Sequence, residues 1–193
     1  MTNRRLFVAL DPADAVRRRI VAATAALRRA AGQAADEVRW TAAEGLHLTV
    51  QFLGVVPEER IAEIDGAVRA AAATSRPLLL EVKGAGGFPN ARRPRVVWLG
   101  LEGDLAPLTA LAAELGRRLT PLGFPPEPRP FNPHLTVGRA RDARGAPGLG
   151  GALAEAAQGD GIGWRASELV LFESHLEPSG ARHEPLLRAG LGG

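Results

Sequence analysis

The chain contains no cysteine among its 193 residues. That absence removes disulfides, a thiol nucleophile and any cysteine-based metal site. Lysine is almost missing too: Lys83 stands alone among 24 basic residues, and the net charge is only +3. Arginine is the better fork for phosphate, so the charge permits a nucleic-acid partner. Abundant Arg, Ala, Gly and Pro also fit a GC-rich genome, to which we give the larger share, and the charge alone establishes no partner. No run approaches the roughly 18 apolar residues of a membrane span. Leu6–Leu10 is too short, and Asp11-Pro12 follows too soon, for a secretory signal. The expected location is therefore cytoplasmic, with no membrane partner. There is no HExxH zinc helix, P-loop, GxGxxG fingerprint or GxSxG elbow. Ser167, Ser174 and Ser179 carry no signature of a nucleophile.

What is present occurs twice. His47-Leu48-Thr49-Val50 and His134-Leu135-Thr136-Val137 are the same tetrapeptide, 134 − 47 = 87 positions apart, in a chain with only four histidines. Read as strands, both alternate with period two, so His and Thr share one face while Leu and Val share the other. If the two copies meet across a cleft, they present two imidazoles and two hydroxyls to one another.

The rest of the chain supplies a frame. Leu6–Leu10 reads as a buried strand, and Asp11 can cap the next helix with Pro12 at its first position. Val16, Ile20, Ala23 and Leu27 make the buried stripe, which leaves Arg17, Arg18, Arg28 and Arg29 as a solvated face. Gly32 stops that helix, and Val38–Thr41 is a short extended piece before the first motif strand, 46–53, which Gly54 ends. A second helix starts near Pro57 with Ile61, Ile64 and Val68 inward. Strands follow at 77–83 and 95–101, with a loop at 84–94 between them. A third helix spans about 104–119, with Leu108, Leu111, Leu115 and Leu119 inward. The Pro-rich 121–133 connection leads to the second motif strand, 133–139. Residues 141–163 read as loop with a short helix near 149–157. Strands at 168–176 and 184–191 close the chain across Pro178-Ser179-Gly180. This order predicts an α+β protein, residues 1–193 forming one domain of two related lobes. Each lobe is an antiparallel sheet backed by helices, with one motif strand apiece.

Two imidazoles with ordinary pKa near 6.5 suit paired general acid–base catalysis at neutral pH. Opposed His–Thr pairs match in-line displacement at a phosphodiester, one imidazole accepting a proton while the other donates one, without a metal. His175 and His183, eight apart in the last hairpin, are alternative metal ligands, but turn or surface histidines are the commoner reading. Phe88 and Trp40 could stack on a base, with core packing the favoured role.

The two H-x-T-x motifs resemble the signature of the 2H phosphoesterase superfamily, and their surroundings are similar to its RNA 2′,3′-cyclic phosphodiesterase (2′-5′ RNA ligase) branch. The resemblance is carried by Arg5–Leu10, Leu46–Gly54, Gly87–Asn90, Pro94–Gly100, Pro133–Arg139 and Leu171–Leu176. It implies a bilobal fold with a V-shaped cleft between pseudo-symmetric sheets. It also implies opening of terminal 2′,3′-cyclic phosphates on RNA to 2′-phosphates, with no metal or other cofactor, by a monomer. On that basis His47 and His134 are the catalytic pair, with His47 as acid and His134 as base. Thr49 and Thr136 hold the phosphate, and Arg139 lies near it. Strict alternation would put Arg139 on the wrong face, so a bulge or bend near Gly138 is required. The corresponding position after the first motif is Phe52, so the halves differ. His183 stands where a tyrosine usually follows the final turn. RNA ligation by the same chemistry in reverse, a phosphodiesterase for small cyclic nucleotides, and a non-catalytic module that binds RNA ends are the competing readings.

Overall fold

The structure, a computed structural model, describes residues 2–177 and 180–192. Pro178 and Ser179 of the expected final turn lie outside the described residues. Among the described residues, nine strands and four helices run in the order β1 Asn3–Leu10, α1 Asp14–Ala31, β2 Val38–Trp40, β3 Leu48–Pro57, α2 Ile61–Ala72, β4 Leu78–Phe88, β5 Val96–Gly103 and α3 Leu105–Leu119. They continue with β6 Leu135–Ala140, α4 Gly150–Ala156, β7 Ile162–Ala166, β8 Glu168–Glu177 and β9 Gly180–Gly190. Two antiparallel sheets result, one of order β3-β1-β8-β9 and one of order β2-β6-β5-β4-β7. Each holds one motif strand, and the α+β reading of two sheets backed by helices is what the fold shows.

The sheets match strand for strand: β3, β1, β8 and β9 correspond to β6, β5, β4 and β7, with β2 added beside β6. Behind the first sheet pack α2 and α3, and behind the second pack α1 and α4. The helices therefore cross over, because α1 leaves a strand of the first sheet and covers the second, while α3 does the opposite. Their apolar stripes (Ile20 and Leu27 on α1, Leu108, Leu111, Leu115 and Leu119 on α3) are almost wholly excluded from water, as the helical spacing predicts.

Several boundaries differ from the sequence reading for local reasons. Asp11 does not cap α1, whose N-cap is Ala13. The Asp11 carboxylate instead pairs with Arg17 and Arg188. β3 continues through Gly54, which takes φ 75°, and β4 continues through the glycines of the expected loop to Phe88, with a register shift between Val82 and Ala85. β7, at the end of a stretch whose sequence reads as loop, is a five-residue edge strand paired to β4. It is too short, and too interrupted by Gly163, to announce itself by period. β9 begins at Gly180 rather than Glu184.

The feature that positions the site is a pair of equivalent β-bulges. On β3, Thr49 faces Ala9 and Gln51 faces Val8, leaving Val50 as the extra residue. On β6, Thr136 faces Trp98 and Gly138 faces Val97, leaving Val137 as the extra one. A bulge turns two consecutive side chains to the same side. Val50 with Gln51, and Val137 with Gly138, are accordingly all buried. The next residue, Phe52 or Arg139, returns to the face that carries Thr49 or Thr136. The bulge demanded near Gly138 is thus present, and it has a twin.

The residue under each bulge fits its surroundings. Gln51 is 5% exposed, and its Nε2 donates to the Phe124 carbonyl at 2.8 Å. Gly138 lies against β2, where an added Cβ would sit 2.5 Å from Val38 Cγ1 and 3.3 Å from Trp40 Cε3. Gly138→Ala is expected to lower stability by about 1–3 kcal/mol through overpacking, measured as a shift in the denaturant midpoint. Gly163→Ala, where the added Cβ meets nothing within 4 Å, is the control and should shift it far less.

Candidate active site

Each motif histidine sits one residue before its strand, at the end of a tightly held approach. For His47 the approach is the 3-10 turn Ala43–Gly45. Arg17 fastens that turn by donating to the carbonyls of Ala43 at 2.7 Å and Leu46 at 2.9 Å, while also paired to Asp11. The helix-face reading of Arg17 is therefore corrected: its side chain is only 17% exposed, and it anchors the segment that presents His47. A sequence signal existed in the carboxylate six residues earlier, but periodicity cannot show that a surface arginine bends inward to carbonyls 26 and 29 residues away.

The two imidazoles are set in the same manner. His134 Nδ1 lies 2.8 Å from the Asn132 carbonyl. A carbonyl only accepts, so Nδ1 carries the proton and Nε2 is left as the free basic nitrogen. His47 makes a hydrogen bond to the Gly45 backbone, again two residues earlier. Each ring also has aromatic walls. His47 packs on Phe7 at 4.7 Å between centroids and meets His183 edge-on at 4.9 Å. His134 meets Phe88 edge-on at 5.0 Å. Phe88 is therefore part of the site as a wall for His134. Trp40 is not: its Nε1 donates to the Ala35 carbonyl at 3.0 Å, and its ring packs against the core.

Both histidines are held neutral. Burial lowers His47 most, followed by the charge of His183 and then of Arg17 and Arg139, to about 3 despite the Gly45 hydrogen bond. Burial also lowers His134, with Arg139 acting in the same direction against the Asn132 hydrogen bond. Arg139, from the second sheet, thus lies close enough to bias an imidazole from each half. Thr49 and Thr136 occupy equivalent places on their strands, both half-buried. The structure therefore brings together the elements that carry His47, Thr49, His134, Thr136 and Arg139.

His183, which stands where the resemblance expects a tyrosine, reaches the ring of His47. It touches both Phe7 and His47 from β9, opposite Ser174 on β8. His175 is the next residue along β8 beyond Ser174, and its ring faces Glu173 and Glu184. Among the described residues no cluster of metal-ligating side chains forms, and no helix is long and apolar enough to cross a membrane. A concavity of about 290 Å3 lies elsewhere, between α1, α4 and β4, and is lined by no histidine or hydroxyl group.

The chain has relatives among known proteins. The profile of the 2′-5′ RNA ligase superfamily matches residues 12–177. An RNA 2′,3′-cyclic phosphodiesterase of Methanothermobacter thermautotrophicus is 34% identical over 176 residues, covering 91% of this chain and 92% of that protein. One from Archaeoglobus fulgidus is 39% identical, covering 71% and 73% of the two chains. Among solved structures, a Thermus thermophilus protein superposes with a TM-score of 0.79 at 26% identity over 98% of both chains. Escherichia coli LigT in complex with 3′-AMP superposes with a TM-score of 0.73 at 28% identity over the whole of both.

Two outcomes follow from the site's geometry. In the unfolded chain His47 takes its proton near 6.5, whereas in the fold it does so only near 3. Between those values the unfolded chain binds more protons, so stability is full above 6.5 and is lost as the pH falls towards 3. Denaturation measured at stepped pH should show this acid slope, and His47→Gln should flatten it. Arg17→Ala removes hydrogen bonds from three carbonyls, those of Pro12, Ala43 and Leu46, and leaves Asp11 with Arg188 alone. It should cost about 2–3 kcal/mol of stability, read from chemical denaturation.

Proposed function

The chain belongs to the 2′-5′ RNA ligase superfamily and is a cyclic phosphodiesterase; from that premise we propose that it opens terminal 2′,3′-cyclic phosphates on RNA to 2′-phosphates by metal-independent, paired-histidine catalysis. The observation that carries this reading is the pair of equivalent imidazoles, one from each sheet, both within the field of one arginine. Relatives named RNA 2′,3′-cyclic phosphodiesterase support the substrate class. The LigT complex with 3′-AMP supports a cleft that accepts a nucleotide bearing a phosphate at that end.

In the proposed reaction a water oxygen attacks phosphorus and the bond from phosphorus to the 3′-oxygen breaks. His134 accepts the water proton, and His47 donates a proton to the departing 3′-oxygen. Thr49, Thr136 and Arg139 hold the non-bridging oxygens, where negative charge accumulates in the transition state. His47 must carry a proton to act, yet burial and the charges of His183, Arg17 and Arg139 oppose it in the free enzyme. The cyclic phosphate is an anion, and placing it beside the ring counters those charges and raises the pKa. The substrate thus helps to charge its own acid. We place the enzyme in the cytoplasm, acting as a monomer.

The decisive assay uses an oligoribonucleotide ending in 2′,3′-cyclic phosphate, with EDTA present. Formation of a 2′-phosphate is expected, and His47→Ala and His134→Ala should each lower kcat by about 10²–10⁴. A substrate whose 3′-oxygen is replaced by sulfur leaves without needing a proton, so it should restore His47→Ala and not His134→Ala; the reverse pattern would exchange the two roles. Because both pKa values are lowered in the free protein, kcat/KM should fall about tenfold per pH unit above an optimum on the acid side of 6.5. The kcat profile should lie at higher pH than that of kcat/KM. A folded protein with no turnover on this RNA or on small cyclic nucleotides would overturn the reading in favour of end binding.

A further inference from the structure

Among the described residues, three cross-strand pairs in the two sheets set fixed charges of the same sign directly opposite one another. Glu81 faces Glu102, Glu173 faces Glu184, and Arg39 faces Arg139. Like charges so placed repel, and the two acidic pairs are both relieved. Lys83 Nζ lies 3.1 Å from Glu102. Arg4 binds Glu173 at 2.7 Å, and Arg182 approaches Glu184 at 3.4 Å. The arginine pair has no such relief: among the described residues neither Arg39 nor Arg139 makes an ion pair or a side-chain hydrogen bond, and both are exposed.

The face they share is the site face. Val38 and Ala140, the next pair along, point into the core, so Arg39 and Arg139 point the other way, alongside Thr136. Arg139 also faces Val96, and Val96 faces Phe88, the ring that walls His134. Arg39 therefore sits at the outer end of a row that runs through Arg139 to the wall of the catalytic histidine. Opposed residues of an antiparallel pair have Cβ atoms about 5 Å apart, and each arginine then reaches outward on a long stem. From Cβ atoms that close, two such stems can spread to neighbouring anions of one ligand.

We propose that Arg39 binds a second phosphate of the substrate, the phosphodiester on the 5′ side of the nucleotide that carries the cyclic phosphate. The proposal rests on the function above and sharpens it, since Arg139 takes the reacting phosphate and Arg39 the adjoining one. The enzyme thereby prefers an RNA end to a free cyclic mononucleotide. The missing counter-ion of the arginine pair is the RNA backbone itself.

The test compares cytidine 2′,3′-cyclic phosphate, the same nucleotide with a 5′-phosphate, and the dinucleotide CpC ending in 2′,3′-cyclic phosphate. Wild type should favour the last two by kcat/KM, and Arg39→Gln should reduce both preferences by roughly tenfold or more. The salt dependence for the dinucleotide should also flatten by about 0.7 in log–log slope, one phosphate contact on a single strand. Binding of the dinucleotide and mononucleotide 2′-phosphates is measured in parallel by calorimetry, which needs no turnover. Equal preference in wild type, a preference kept by Arg39→Gln, or an equal loss on all three substrates would overturn the assignment. If no substrate turns over but the Arg39-dependent binding preference is present, the hydrolase reading fails and the second phosphate site stands.

Discussion

The whole arrangement depends on one irregularity used twice, the extra residue that follows the threonine in each motif strand. Without the bulge at Val50, Gln51 would share a face with Thr49 and Phe52 would enter the core. Without the bulge at Val137, Arg139 would point at the helices. A strict period of two can place a histidine and a threonine in a cleft, but it cannot add a third side chain three residues beyond the threonine. The bulges make the site three residues deep on each strand. They also bury a polar amide, Gln51, which donates to the Phe124 carbonyl, and require a glycine where β2 crowds the sheet.

Equivalent backbones have been filled with unlike chemistry. In the first sheet the position after the bulge is Phe52, 52% exposed and 6.0 Å from Phe7. Phe7 in turn stacks on Phe172 at 5.3 Å, and with Ala9 and Val170 these rings form a second small apolar cluster apart from the main core. In the second sheet the same position is Arg139, with Arg39 beside it. At this position one wall of the cleft is therefore aromatic and the other cationic, which is the division a nucleotide presents in its base and its phosphate. The two motif histidines inherit this asymmetry, for His47 lies in the more enclosed, aromatic half and is pushed down to about 3.

Much of this was legible in the sequence. The duplicated tetrapeptide named both histidines and both threonines, because a rare residue at a fixed offset carries information that composition does not. The helices were legible too, since long apolar stripes tolerate errors of one or two residues. The need for a bulge could be deduced from Arg139 alone, as a contradiction between its expected place and strict alternation. What could not be read was whatever depended on pairing across long separations. β7 is five residues with a glycine inside it. Arg17 looked like its neighbours on α1 until its carbonyl partners, near residue 45, came within reach. Arg39 gains meaning only from its register opposite Arg139, 100 residues later in the chain, and His183 only from the hairpin that folds it back over Phe7.

The crossed helices carry a mechanical consequence. Because α1 hangs from a strand of the first sheet and is buried against the second, and α3 does the converse, each lobe holds the other by its own backbone. Widening the gap between the motif strands would have to drag an apolar helix face out of the opposite lobe. The separation of the two imidazoles is thus set by covalent connectivity and core packing together, as the span of a truss is set by its diagonals. Such a cleft has little freedom to clamp down on its ligand, and selection among substrates falls to the shape and charge of walls already in place.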